Sequence, residues 1–194
     1  MDLSLVVALY GQSVEPGTKE DVNQDGKVDI HDLMLVSVHF GESCNPELKR
    51  GVAPIDNRTA IYVVPSSSIL TPGDTVKVQV IIEDVEEMTG FELDLVYDSD
   101  LLRLITAAEG GMLSENGRVP LFPASGQSRD GLLKSIAFVR ADQNGTNGSG
   151  VLLEAIFQAN ATGDATVAIE GAMTINSIPE ALPVAAEGAT LRIK

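Results

Sequence analysis

The sequence predicts a mainly β protein, an antiparallel β-sandwich preceded by a small helical module. From Thr59 onward, apolar and polar residues alternate with the period of two that is typical of half-buried strands. Turn signals such as Pro72-Gly73-Asp74 separate these runs. Before them, apolar residues recur at helical spacing, and a segment with two prolines and no periodicity follows. We therefore predict a module over 1–43, a linker over 44–58 and a sandwich over 59–194.

The strongest chemical signal is the twelve-residue segment DVNQDGKVDIHD, which begins at Asp21. A calcium ion takes six to eight oxygen ligands at about 2.3–2.6 Å, and a calcium loop supplies them at fixed positions with a glycine at the sixth. Gly26 stands at that sixth position. A solvated acidic turn would explain the charge but not this phase. The spacing predicts one Ca²⁺ site with these ligands: Asp21, Asn23, Asp25, the carbonyl of Lys27, Asp29 and Asp32.

A helix is expected after the loop, from near Ile30 to Gly41, and the chain contains a second copy of it. Residues 2–13 align without gaps on residues 32–43, thirty positions later. Each copy carries an apolar stripe at helical spacing, so we expect the two helices to bury their stripes against each other. The stripes are Leu3, Val6 and Tyr10 in the first copy and Leu33, Val36 and Phe40 in the second.

The loop and the repeated helix resemble a dockerin, the small duplicated calcium-loop module of cellulosome-type assemblies. The first repeat has no loop, since Asp2 stands at its twelfth position. We therefore expect Met1 to lie inside the module and the module to hold one ion, where a family dockerin holds two. The resemblance also makes Ile30 and His31 candidate contacts for a cohesin-bearing partner. The alternatives are a buried helix-start residue for Ile30 and an ordinary surface or half-buried histidine for His31.

The second region contains about nine short strands, which two antiparallel sheets could arrange around one core. They are expected near 61–65, 75–82, 91–97, 101–107, 119–124, 132–140, 151–161, 166–175 and 189–193. Three segments in this order and spacing resemble a cohesin, the nine-stranded jelly-roll partner of dockerins. These segments are PGDTV at residue 72, GFELDLVYD at residue 90 with Leu101-Leu102 after it, and GSGVL at residue 148.

Strand phase divides this sandwich into a core side and an outer side. If Phe91, Leu93 and Leu95 point into the core, Glu92 and Asp94 point outward. If Ile136 and Phe138 also point inward, the opposite face of their strand carries small apolar residues, which indicates a docking surface. The cohesin resemblance implies that a dockerin helix binds on this sheet. The candidate contacts are Glu92, Asp94, Ser135, Ala137 and Val139, unless the linker or the N-terminal module covers them.

Composition and motifs exclude several functions. The net charge of −15 argues against nucleic acid as a partner, and no run of eighteen apolar residues predicts a membrane span. Both histidines lie in the module, and there is no glycine-rich phosphate loop. Carboxylate pairs such as Glu86 and Glu87 are explained by surface solvation, although two carboxylates could in principle serve a glycosidase. We predict that the chain is not an enzyme.

We predict a non-catalytic scaffold or adaptor that assembles through calcium-dependent cohesin–dockerin contacts. The sandwich would bind dockerin-bearing proteins and the module cohesin-bearing ones, and head-to-tail self-association is allowed. The family resemblance implies a secreted or cell-surface setting in a polysaccharide-degrading complex. The alternative is a calcium-stabilised carbohydrate-binding or adhesive sandwich, against which stands the absence of tryptophan from the sequence.

Overall fold

The N-terminal region contains two short helices. The computed structural model describes residues 3–38, 59–121, 128–139, 144–176 and 181–194. Helix α1 is Leu3–Leu9 and helix α2 is Ile30–Val38. The predicted helix end at Gly41, the stripe residue Phe40 and the linker 44–58 lie outside the described residues. Neither helix is long and apolar enough to cross a membrane.

The loop between the helices is tied back to the segment that follows α1. The amide of Gly11 donates to the Val28 carbonyl at 2.7 Å, and the Val28 amide donates to the Gln12 carbonyl at 2.9 Å. The Val14 amide donates to the Gly26 carbonyl at 3.0 Å. These bonds hold the predicted calcium loop against the chain that leaves α1, so helix, loop and second helix form one small unit.

Eleven strands follow in the described residues, so the predicted count of nine is wrong. One strand of 23 residues joins the predicted strands at 75 and 91, whereas several short strands carry too few residues to show a period. The predicted strand at 119–124 is absent at 119–120, and residues 122–124 lie outside the described part. The strands are β1 Ala60–Pro65, β2 Ile69–Leu70, β3 Thr75–Tyr97, β4 Leu102–Glu109, β5 Ser128–Arg129, β6 Leu132–Phe138, β7 Thr146–Ala159, β8 Gly163–Asn176, β9 Ala181–Pro183, β10 Ala185–Glu187 and β11 Ala189–Ile193.

The strands form two layers that share β3 and face each other across the core. In the first layer, β4 pairs with β7, β7 with the first half of β3, then β1 and β10 follow. In the second, β5 pairs with β6, β6 with the second half of β3, then β8, β11 and β2 follow. Most pairs are antiparallel as predicted, but β1 with β10 and β11 with β2 are parallel.

Strand β3 passes between the layers through an irregular stretch. Its register with β7 shifts after Ile82 and again after Val85. Asp84 and Glu87 have φ values of 54° and 49°, in the left-handed region that non-glycine residues seldom adopt. Bulges of this kind bend a strand and increase its twist, which lets one strand belong to both layers.

The core between the layers confirms the predicted phase of the second half of β3. Phe91, Leu93 and Leu95 are fully buried there. They share one hydrophobic cluster with Val78 and Val80 of the first half of β3 and with residues of β7. The alternation of the sequence is therefore read correctly in this strand.

The predicted phase of β6 is wrong. Leu133, Ala137 and Val139 belong to the sandwich core, and Ser135 is buried as well. In the antiparallel register, Ala137 lies opposite Phe91 and Ser135 opposite Leu93. Residues directly opposite each other point to the same face. Ser135, Ala137 and Val139 consequently point inward, and none of them is part of an exposed surface.

Candidate docking face and metal loop

The outer face of the β6–β3–β8 sheet is the candidate docking face. Glu92 of β3 lies between Ile136 of β6 and Met173 of β8 in the register. The next outward position of β3 is Gly90, which lies opposite Ile175. Because glycine has no side chain, this part of the face is open enough for other groups to pack on Ile175. The strands therefore present three apolar side chains around one carboxylate.

The N-terminal module covers this face. Ile136 and Ile175 are each 1% exposed, although they point away from the sandwich core. They belong to a second hydrophobic cluster, which we call the module–sheet cluster, and every other fully buried member comes from the module. Its buried members are Val6, Tyr10, Val28, Ile30, Leu33, Val36, Ile136 and Ile175. The predicted helix stripes are thus buried as expected for Val6, Tyr10, Leu33 and Val36, but against the sheet as well as each other.

Tyr10 and Glu92 form the polar contact of this interface. The Tyr10 ring is 8% exposed, and its hydroxyl lies close enough to the Glu92 carboxyl to affect its pKa. Burial raises the pKa of Glu92, and the Tyr10 hydroxyl acts in the opposite direction. Neither the Tyr10 hydroxyl nor Glu92 Oε2 has an aligned hydrogen-bond partner among the described residues. Two buried polar atoms that face each other would lose much of their desolvation cost by a small rotation into one bond.

Carboxylates surround this contact. Asp94 is paired with Lys134, whose Nζ lies 3.4 Å from Asp94 Oδ2. Asp29 of the loop is near enough to raise the pKa of Glu92 further by like-charge repulsion. The predictions that Glu92 and Asp94 face outward are correct. Glu92 is nevertheless not free, since it lies under Tyr10.

The two candidate contacts of the module differ in their surroundings. Ile30 is fully buried in the module–sheet cluster, which agrees with the alternative of a buried helix-start residue, and it is not exposed to a further partner. It begins α2, and its apolar side chain is placed inward by the loop that precedes it. His31 is half-buried, and its Nδ1 lies 2.9 Å from Asp29 Oδ1. That bond raises the pKa of His31 and outweighs the effect of burial.

The loop places its acidic side chains around its own backbone amides. Asp32 is fully buried, and its Oδ1 accepts from the amides of Val22 and Asn23 at 2.6 and 3.1 Å. Asp21 is 3% exposed and accepts from the amides of Asp25 and Gly26 at 3.1 and 2.9 Å. Gly26 has a φ of 91°, which a side chain would strain. The first and last predicted ligands are therefore held inside the turn.

The remaining predicted ligands lie towards solvent. Carboxylate oxygens of Asp25 and Asp29 and the Nδ1 of His31 all lie within 4.8 Å of one another. Asn23 Oδ1 accepts from the Asp25 amide at 3.0 Å, and Lys27 is exposed. Burial raises the pKa of Asp32, although bonds from the backbone amides of Asp29, Asn23 and Val22 act in the opposite direction. A hard cation suits an all-oxygen set with two buried carboxylates, so the residues fit the predicted ion.

A separate cleft of about 620 Å³ opens between β4 and the start of β6. Tyr97 is its one aromatic lining residue, beside Leu102, Leu104 and Leu133. This ring packs edge-on against Phe157 at a centroid distance of 4.9 Å and is 8% exposed. It therefore offers no flat platform on which a sugar ring could stack.

Comparison with known proteins identifies the second region. A family profile for the cohesin domain matches residues 62–180. The chain belongs to the cohesin family. This confirms the cohesin resemblance, and cohesin domains are non-catalytic modules, which favours a non-catalytic role for the matched region. No curated protein sequence matches the chain.

Solved structures support the same fold. A non-cellulosomal cohesin from the archaeon Archaeoglobus fulgidus is 19% identical, with a TM-score of 0.57 over 71% of this chain and 91% of that one. A chain of a type II cohesin–X–dockerin complex from Acetivibrio cellulolyticus is 14% identical, with a TM-score of 0.59 over 70% and 99%. A chain of a type I cohesin–dockerin complex from Clostridium thermocellum is 13% identical, with a TM-score of 0.59 over 75% and 99%.

Sequence reasoning missed four residues of the covered face. The sequence places Tyr10 only in the stripe of its helix, Ile136 in the sandwich core, and Met173 and Ile175 only in a strand. The signal that could have revealed them is the presence of apolar residues on both faces of β6, since a strand with one solvated face normally alternates with polar residues. The dockerin assignment of the module stays a prediction.

Proposed function

We propose that this cohesin is an assembly module whose β6–β3–β8 face binds a calcium-ordered helical module of the dockerin type. One observation carries the proposal: the outer face presents Ile136, Met173 and Ile175 around Glu92, and the N-terminal module buries the two isoleucines and partly buries Met173. An apolar centre with charged groups at its rim is the usual anatomy of a protein interface. Asp94 and Lys134 supply such a rim here.

The chain's own loop is proposed to bind one Ca²⁺. Asp21 and Asp32 would hold the ion from inside the turn, with Asn23, Asp25, Asp29 and the Lys27 carbonyl completing the set. A bound cation would compensate the carboxylates and stabilise the start of α2. We further propose an extracellular or cell-surface setting, in which dockerin-bearing proteins dock on the sandwich and the module binds cohesin-bearing ones. Polysaccharide degradation is the proposed context, as in the cellulosome-type relatives.

Calorimetry of the full chain against a panel of type I and type II dockerins tests the proposal. Because the chain's own module covers the face, the panel is measured with the parent and with Tyr10→Ala, which weakens that cover. Binding of at least one dockerin is expected, and Ile136→Glu should abolish it by placing a charge at the apolar centre.

The matched control for that substitution is Ile105→Glu. Ile105 is 47% exposed on β4, far from the covered face, so this variant should bind like its parent. If no dockerin binds either form, while the chain binds immobilised polysaccharides, the carbohydrate-binding function replaces the assembly function.

A further inference from the structure

The covered face has an occupant that belongs to the same chain. Six of the eight buried members of the module–sheet cluster come from residues 6–36 and two from the sandwich. Ile136 and Ile175 are as deeply buried as the sandwich core, although they point out of it. Burial of this depth on the outer face of a sheet requires a packed partner, and here that partner is the helical module.

The contact also brings two polar groups near each other, although no aligned hydrogen bond joins them. Tyr10 brings its hydroxyl to the Glu92 carboxyl at the centre of the face. Burial, with Glu92 as the next cause, raises the pKa of Tyr10 well above its ordinary value, so the hydroxyl keeps its proton and can donate. An aromatic ring with a polar tip is a typical anchor residue of protein interfaces.

We propose that the module of residues 3–38 is the built-in ligand of the docking face, bound in cis, and that it closes the face to any second helical partner. This rests on the proposed function for the identity of the face. A partner must then displace the module, and the apparent affinity of the chain falls by the fraction of molecules in which the face is open.

Nuclear magnetic resonance of the intact chain tests the occupancy directly. Nuclear Overhauser effects are expected from the Tyr10 ring to the methyl groups of Ile136 and Ile175. In a sample that mixes labelled and unlabelled chains, filtered spectra should lack these effects between molecules. Intermolecular effects would assign the face to a second copy, and loss of all of them would leave it open. Either result overturns the proposal.

Two complementary variants test whether the module is a ligand of that face. Ile136→Glu damages the face and leaves every residue of the module unchanged, whereas Tyr10→Ala weakens the module and leaves every residue of the face unchanged. When labelled Tyr10→Ala is titrated with unlabelled Ile136→Glu, the Ile175 and Met173 methyl signals should shift. The control pair is Leu5→Ala and Ile105→Glu, which change exposed residues of α1 and β4, and it should give no shifts.

Absence of shifts in the complementary pair would refute the proposal even if foreign dockerins bind. Conversely, shifts in that pair without binding of any foreign dockerin would leave self-occupancy standing and would contradict the proposed assembly function. For a dockerin that binds, Tyr10→Ala should show at least a tenfold tighter apparent Kd than the parent, and Leu5→Ala should not. Equal affinities for parent and Tyr10→Ala would also overturn the proposal.

Discussion

At the scale of single residues, the predicted calcium loop is the part of this chain about which its sequence carries the most chemical information. Spacing alone predicts the oxygen donors and the position of the glycine, because such a loop is local and its geometry depends on twelve consecutive residues. The contact between Tyr10 and Glu92 could not be predicted in this way. The two residues are far apart in sequence, and only the packing of the module on the sheet brings them together.

Removal of two loop carboxylates should abolish calcium binding. Asp21→Ala with Asp25→Ala takes away one buried and one exposed donor, so the remaining oxygens are too few for a cation that needs six to eight. Calorimetry should report about one site per chain in the parent and none in the double variant. Asp100→Ala, which changes an exposed aspartate of the sandwich, is the control. Tight binding by the double variant would contradict the ligand assignment.

Glu92 should make the stability of the protein depend on pH. Its folded pKa is raised, chiefly by burial, so its contribution to folding is complete below the unfolded pKa of about 4.3 and is lost as the pH rises through the folded value. Glu92→Gln removes the charge and keeps the shape. We therefore expect the variant to gain stability relative to the parent as the pH is raised from about 4 to about 8.

Urea unfolding at several pH values measures this difference. Glu154→Gln is an instructive control, because bonds from Gln79 and Lys77 lower the pKa of Glu154. The stability that Glu154 contributes is present above its unfolded pKa and is lost as the pH falls, so its variant should differ from the parent in the opposite direction. A Glu92→Gln difference that is constant with pH would show that Glu92 titrates normally.

At the scale of elements, β6 shows why strand phase can be misread. Its sequence LLKSIAF, followed by Val139, places apolar residues on both faces. Alternation therefore gives two equally good phases, and a one-residue error exchanges every inward residue for an outward one. The register with β3 decides, since Ile136 lies opposite the outward Glu92. The phase of β3 is predicted correctly because the residues that alternate with its apolar ones, Glu92 and Asp94, are acidic.

The corrected phase changes the expected effect of a charge at Ala137. Ala137 is fully buried against the sandwich core, so Ala137→Asp forces an unpaired carboxylate into an apolar site. We expect it to lower the free energy of unfolding of the sandwich by more than about 3 kcal/mol. Urea unfolding measures the loss. Ala108→Asp, on an exposed position of β4, should have little effect, and a stable Ala137→Asp protein would restore the outward phase.

At the scale of the whole molecule, the chain has two apolar clusters of unequal size. The larger lies between the two layers of the sandwich and consists only of sandwich residues. The smaller joins the module to the sheet through Ile136, Ile175 and partly buried Met173. The sequence predicts the two regions, but it offers their contact only as one alternative, because a contact between regions leaves no periodic pattern. The sandwich is therefore expected to persist when the module leaves, but the module depends on the sheet and on its loop.

The difference in size between the two clusters predicts two unfolding transitions. Two helices of seven and nine residues are too short to be stable alone, so the module relies on the sheet face and on the proposed ion to order residues 21–32. A chelator should shift only the lower transition in calorimetry.

In hydrogen exchange, the chelator should expose the Gly11 and Val28 amides, which pair across the loop. Amides of β3 paired with β7 should remain protected, because their cluster contains no module residue. A single transition that ignores the chelator would mean that module and sandwich fold as one unit without the ion.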